Sequence, residues 1–280
     1  MNARNAGGFW RGAAALAAVF AAVLLAGCER KAAPAGATAV LNIGTDAIFP
    51  PFHLKDEHGH VTGYEVELAK RVARAAGFDP QIKVMPFNQL LAGLDDGTID
   101  MVAATHGITP ERQEKYLFSL PHFDTCQAVV VRKGDGQPAT LADLAGKRVG
   151  ASGDGTSARA ARNLPGVEYV RIEAGKDAVE ELLAGNIDAF VIDEFEAVDF
   201  QQRKPDALAI IPEPAAPEQY AFVMKLGRDD LKRKIDAALA GIVNSAAGAE
   251  LQDRHGAVRR PGWPVHVTPP VDPPPDDDGD

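Results

Sequence analysis

Cysteine is almost missing from this chain. Its 280 residues include two, Cys28 and Cys126, with no CxxC pair and no Cys/His spacing suited to a metal. A disulfide framework is therefore excluded, and no metal site is expected. Basic charge is short as well: 29 Lys and Arg stand against 39 Asp and Glu, a net charge of -10. A nucleic-acid partner is excluded on that ground, because no basic excess is available to release phosphate counterions. Part of the acidity belongs to the terminal run Asp276, Asp277, Asp278 and Asp280, a solvated tail. Past residue 26 no stretch is apolar enough to cross a bilayer. There is no nucleophile elbow, and no Ser/His/Asp arrangement follows from spacing. Residues 150–157 carry a glycine loop, but its G-x-x-G-x-G order is not the dinucleotide fingerprint. No catalytic residue and no cofactor are expected.

What is present begins at the N-terminus. Arg4 and Arg11 precede an apolar run over residues 13–26 that is short for a membrane span and suits a signal-peptide core. The run ends in Leu25-Ala26-Gly27-Cys28, which resembles the lipobox of bacterial lipoproteins, where the Cys thiol receives lipid. A short membrane anchor is the competing reading, and either one puts the remainder outside the cytoplasm. Residues 1–27 are read as a signal peptide and 28–39 as a lipid-anchored, Ala-rich tether. Residues 259–280, dense in Pro and Asp, are read as a disordered tail.

From residue 40 onward short β-branched runs alternate with helical segments, the pattern of a parallel α/β fold. Strands are expected at 40–44, 82–85, 99–103, 148–151, 167–172, 187–192 and 220–225. Helices are expected at 63–77, from Asn88 as a cap through Leu94, at 157–163, 177–183 and 194–203, and from about Asp229 toward Ala240. Cys126, in a strand-like stretch, reads as a buried apolar residue. A phrase recurs: Leu94 to Asp100 and Leu182 to Asp188 both fit L-x-x-G-x-I-D. Its glycine suits a helix C-cap, and the residues after it enter a buried strand. Two lobes of like construction follow. Lobe 1 is assigned to 40–131 plus 220–258 and lobe 2 to 132–219, with hinge crossings at 129–132 and 218–223. Thr105 and Asp193 fall at the same offset from each repeated Asp, just past a strand's carboxyl end, where open α/β sheets bind ligands.

Thr109-Pro110-Glu111-Arg112 opens a helix with Thr at the N-cap and Pro in the first turn. Arg112 either clamps a carboxylate beside the free N–H groups or faces solvent, paired with Glu111 or Glu114. The loop at 150–157 is either a second backbone anion site with Thr156 or an ordinary tight turn. Phe49, fixed by Pro50 and Pro51, and Phe87 either face a ligand or belong to the core. His58 and His60 share a polar turn that makes a poor metal site.

Together these residues resemble the periplasmic amino-acid-binding proteins of ABC importers, the polar amino-acid type. The resemblance rests on Ile43-Gly44-Thr45-Asp46, Phe49-Pro50-Pro51-Phe52, Gly63-Tyr64-Glu65-Val66-Glu67-Leu68, Ile99-Asp100-Met101-Val102 and Ile108-Thr109-Pro110-Glu111-Arg112. Further matches are Gly146-Lys147-Arg148-Val149-Gly150 and Ile187-Asp188-Ala189 through Asp193. It implies a type II periplasmic-binding-protein-like fold, α/β, each lobe a mixed, mostly parallel sheet flanked by helices. It also implies roles. Arg112 would hold a ligand α-carboxylate, with the backbone of Gly107 and with Thr156. Asp193 would accept the α-ammonium, with Thr105 and the carbonyl of Ala104 nearby. Phe49 and Phe87 would sandwich the side chain, with Asp46 at its far end. The expected partners are an amino acid, an ABC permease and, through lipid on Cys28, the membrane; a periplasmic monomer is expected. Phe49 stands where such proteins often have Tyr, and His106 and Gly107 replace residues that are often apolar and Ser. Asp154 sits in the glycine loop, where an inward charge would oppose a carboxylate. Two other classes share the fold. One is an exported cyclohexadienyl or arogenate dehydratase, for which Glu194, Glu196 or His106 would supply the acid. The other is a ligand-sensing or docking module.

Overall fold

The structure, a computed structural model, describes residues 38–258. Its first sheet has five strands: β1 (Ala39–Thr45), β5 (Phe78–Val84), β6 (Met101–Val102), β7 (Tyr116–Phe118) and β14 (Val223–Lys225), in the order β5-β1-β6-β14-β7. β1 and β6 run parallel, with Ile43 opposite Met101, and β14 returns antiparallel to β6. A small antiparallel sheet of β2 (Ile48–Phe49), β3 (His53–Lys55) and β4 (Val61–Thr62) lies between β1 and helix α1 (Tyr64–Ala75) in the chain. On α1 the residues Val66, Leu68, Ala69, Val72 and Ala73 are fully buried. Each fully buried Val or Leu side chain contributes about 1.5–3 kcal/mol to holding the helix on the sheet.

The second sheet repeats the first. β10 (Glu168–Ile172), β9 (Arg148–Ser152), β11 (Ala189–Asp193) and β8 (Phe123–Arg132) take the order β10-β9-β11-β8, with β12 (Leu208–Ile210) and β13 (Ala216–Tyr220) also paired to β8. β9 is parallel to β10 and β11, whereas β8 is antiparallel to β11. One apolar cluster, with Val130, Ile187 and Phe190, covers one part of this lobe; another, with Val129, Val149 and Ala161, covers a second.

The repeated phrase performs the same task in both sheets. Gly97 and Gly185 adopt left-handed φ values of 80° and 76°, which favour glycine because it has no Cβ. Ile99 and Ile187 are then 1% exposed. Asp100 accepts from the backbone N–H of Asn42 at 3.0 Å, and Asp188 from that of Arg148 at 3.0 Å. Each aspartate thus ties its strand to the neighbouring parallel strand.

The outgoing crossing differs from the expectation. Val129 and Val131 are paired with Val191 and Ala189 inside the second sheet, so 129–132 is not a hinge. The chain changes lobes earlier, near Phe123, whose ring packs with Phe52 and Tyr64 of the first lobe's core while Cys126 already belongs to the second. The return runs from β13, in the second sheet, to β14, in the first, across residues 220–223. Asn88 is not a cap either. The helix α2 (Phe87–Asp95) starts after Pro86, with no side-chain cap hydrogen bond. The Pro fixes an extended backbone (φ -55°, ψ 141°) just ahead of the helix.

Candidate ligand site

A cavity of about 310 Å³ opens where the two lobes meet. The first lobe supplies Asp46, Phe49, His53, Phe87, Thr105, Gly107 and Arg112. The second supplies Thr156, Asp193 and Glu196, and the crossing strands add Gln127, Glu218 and Tyr220. Eight of the residues expected from the sequence therefore share one wall: Asp46, Phe49, Phe87, Thr105, Gly107, Arg112, Thr156 and Asp193. Ala104 does not join them. It is 1% exposed, packs with Leu90 and Leu94, and its carbonyl lies 3.2 Å from the His106 ring, so it is turned into the lobe rather than the cavity.

Arg112 is held by local structure. Thr109 caps the short helix α3 (Pro110–Gln113), its hydroxyl accepting from Arg112 N–H at 3.3 Å. The Arg112 guanidinium donates through Nη1 to the Gly107 carbonyl at 2.8 Å, which engages one of its five N–H donors. Among the described residues no carboxylate oxygen comes within 4.0 Å of it, because Glu111 pairs instead with Arg159 of the facing lobe. Burial pulls its pKa down, against the opposing pull of Glu218 and Glu111. A cation so placed is stabilised when an anion joins it.

Asp193 faces it from the other lobe. It ends β11 and caps α6 (Glu194–Arg203), accepting from Phe195 N–H at 2.9 Å, and its second oxygen accepts from the Tyr220 hydroxyl. It is 7% exposed, and burial, with Glu218 adding repulsion, pushes its pKa well above its ordinary value. Burial and Asp199 push Glu196 up to about 7. The wall thus sets Asp46, Asp193, Glu196 and Glu218 against Arg112, and a ligand with an ammonium group relieves that excess.

Aromatic rings flank the opening. Phe87 is 44% exposed and stacks on His106 at 4.7 Å, while Phe49 stacks on the core ring Phe52 at 5.7 Å. Beneath them runs a buried polar chain that was not read from the sequence. Asp46 Oδ1 lies 2.8 Å from His53 Nδ1, and His53 Nε2 lies 3.3 Å from Thr105 Oγ1. Glu65, fully buried, accepts from Thr105 N–H at 2.6 Å and lies 3.1 Å from His122 Nε2. Thr105 holds a left-handed φ of 46°, and the Glu65 bond to its N–H secures that turn. Glu65 was readable as a signal: an acid on the apolar face of a helix is seldom buried without a partner.

The remaining candidates lie elsewhere. His106 is buried and held neutral, its pKa pulled to about 3 by burial and then by Arg112. Glu194 is buried beside Thr125 and Cys126, away from the cavity wall, so Glu196 alone of the three acid candidates reaches it. Asp154 is exposed and paired with Arg171 and Arg162, so it does not oppose an anion in the cavity. His58 and His60 sit on an exposed turn. Cys28 and the stretches read as signal peptide, tether and tail lie outside the described residues, apart from residues 38 and 39 of the tether, where Ala39 already opens β1.

Residues 41–258 match the bacterial extracellular solute-binding proteins, family 3. The chain belongs to this family. Among family relatives, the L-cystine-binding protein TcyJ of Escherichia coli (strain K12) is 32% identical over 203 residues, 71% of this chain and 76% of TcyJ. The arginine-binding extracellular protein ArtP of Bacillus subtilis (strain 168) is 29% identical over 71% of this chain and 79% of its own. An ancestral arginine-binding protein solved with arginine superposes with a TM-score of 0.66 at 33% identity, covering 77% of this chain and 97% of that one. The family fold is the two-lobed type II periplasmic binding protein, in agreement with the paired sheets described above. Among the described residues no helix is long and apolar enough to cross a membrane.

Proposed function

We propose that this protein captures an amino acid, or a close analogue, in the interlobe cavity and delivers it to an ABC permease. The observation that carries the reading is the pair of unlike charges from separate lobes. The Arg112 guanidinium has no ion-pair partner among the described residues, and the Asp193 carboxylate, buried and raised in pKa, stands on the facing lobe. A zwitterion satisfies both, and it does so fully only when the lobes are together, so closure depends on ligand. Phe49 and Phe87 supply apolar walls for its side chain, with Asp46 near Phe49. The relatives named for arginine and cystine support the ligand class. Export and lipid attachment at Cys28 rest on the sequence of residues 4–28, and the protein is read as a periplasmic, lipid-anchored monomer.

A thermal-shift screen of the purified protein against the common amino acids and cystine tests this. A ligand at about a hundred times its dissociation constant adds about 2.7 kcal/mol of stability, seen as a raised midpoint. One amino acid is expected to raise it, and Arg112→Ala and Asp193→Ala are each expected to abolish the rise. A screen in which no amino acid moves the midpoint overturns the reading.

A further inference from the structure

Next to Arg112 the protein places a carboxylate of its own. Glu218, 7% exposed, reaches into the cavity from the returning strand β13, where Gln127 Nε2 donates to it and Thr156 bonds to its carboxyl. Gly107 makes the room: a Cβ built there would stand 2.8 Å from the Glu218 Cδ and closer still to its Oε1. Glu218 forms no ion pair within 4.0 Å among the described residues. It therefore occupies the ground beside Arg112 and Thr156 that a ligand carboxylate would need. Two ionised carboxylates side by side repel each other, and one of them takes a proton.

We propose that Glu218 is the specificity-determining residue at the carboxylate end of the cavity, and that a ligand carboxylate lands beside Arg112 only as Glu218 takes up a proton. The inference rests on the amino-acid reading above. With that proton Glu218 changes from a competitor for Thr156 into an O–H donor toward the ligand's anionic oxygen. Burial already raises the Glu218 pKa in the free protein, against the lowering effect of Gln127, Thr156 and Arg112, so the protonation is within reach. The other charged groups around it are Arg112 on α3 of the first lobe, Asp193 and Glu196 on the second, and Arg159, which is engaged by Glu111. Asp193 acts with the opposite sign: its protonation at low pH weakens the hold on an ammonium. That effect is common to every ammonium-bearing ligand, so comparing L-arginine with agmatine on the same protein removes it.

The sign follows from linkage. A ligand carboxylate raises the Glu218 pKa further, so binding takes up a proton and affinity falls as pH rises. The test is titration calorimetry between about pH 5 and pH 8, in two buffers of different ionisation enthalpy, with up to tenfold loss of affinity per pH unit expected in the steep part. The probes are L-arginine, its decarboxylated counterpart agmatine, and L-cystine. The wild type is expected to bind the amino acid with net proton uptake and a falling affinity, and to show no such fall for agmatine. E218Q, which donates without titrating, is expected to bind the amino acid with that fall removed. G107A, whose Cβ displaces the carboxyl, gives a second and independent loss of the fall. Ligand-free melting midpoints show whether each variant is folded.

An amino acid that binds wild type and E218Q with the same pH slope and no proton uptake overturns this inference and leaves the functional reading intact. Should none of the probes, and none of the amino acids in the screen, bind at any pH, the functional reading falls and this inference with it.

Discussion

The two lobes share a strand order and an aspartate that ties neighbouring parallel strands, yet their polar groups are spent differently. In the first lobe, His53, Glu65 and His122 lie at 2% exposure or less directly under the cavity wall, linked to Asp46 and Thr105. In the second lobe the paired charges are nearer the surface: Asp188 with Arg148 and Arg132, and Asp154 with Arg171 and Arg162. The first lobe therefore carries a buried electrostatic frame that shapes half the site. The second is built mainly from apolar clusters and presents Asp193 at the end of a strand. The first lobe holds its share of the wall by a chain of buried acids and histidines, and the second mainly by packing, with the bonds of Gln127 and Thr156 to Glu218 as its buried polar link.

The sharpest break in that comparison is Glu65→Ala. Removing the acid leaves the Thr105 N–H and the His122 ring without their buried partner, at about 1–3 kcal/mol for each unsatisfied group. Equilibrium unfolding in urea is the measurement. Asp188→Ala is expected to cost less, about 1–2 kcal/mol, since Arg148 is partly exposed and solvent screens what remains. If the second-lobe variant proves the more damaging, the contrast between a polar and an apolar lobe is wrong.

A pH series probes the second lobe's pair on its own. Bonds from Arg148 hold Asp188 down at about 2, with the Arg148 backbone N–H and Arg132 adding to the effect against burial. A carboxyl with a depressed folded-state pKa stabilises above its unfolded value of 3.8, and the contribution is lost as pH falls from there through about 2. Wild type is expected to lose stability across that window, and Asp188→Asn to lose less of it. Acid unfolding followed by circular dichroism reads both.

The lobes also differed in how plainly the sequence announced them. The L-x-x-G-x-I-D phrase located both glycine turns and both tying aspartates, and its offset brought Thr105 and Asp193 to one cavity. Thr109 announced its cap through the Pro that follows. The outgoing crossing carried no such mark. Phe123–Arg132 is one continuous strand without Gly or Pro, and Val129-Val130-Val131 reads as buried whichever sheet it joins. Placing the hinge there assigned Gln127 to the wrong lobe, and with it the link to Glu218 went unseen. The strands β2 and β3 could be given no bounds, being two and three residues long, too short for any periodicity to register, though β3 positions His53. Helix α8 (Ala246–His255) escaped because its Ala and Gly content gives little amphipathic pattern, although Ser245 caps it by accepting from Gly248 N–H.

The smallest expected effect concerns the one ion pair that joins the lobes among the described residues. Glu111 stands in the first turn of α3 and Arg159 on α4 (Thr156–Asn163), and their side chains are 68% and 42% exposed. A pair in that setting is screened by water and salt and rarely adds measurable stability, so the melting midpoint of Glu111→Gln is expected to match wild type. Closure is a more sensitive readout, since the pair forms only with the lobes together. The variant is expected to weaken ligand binding by less than about threefold at low ionic strength, and by nothing measurable at high salt. A loss larger than that, persisting at high salt, would mean that closure depends on the rim of the cavity as well as on Arg112 and Asp193 within it.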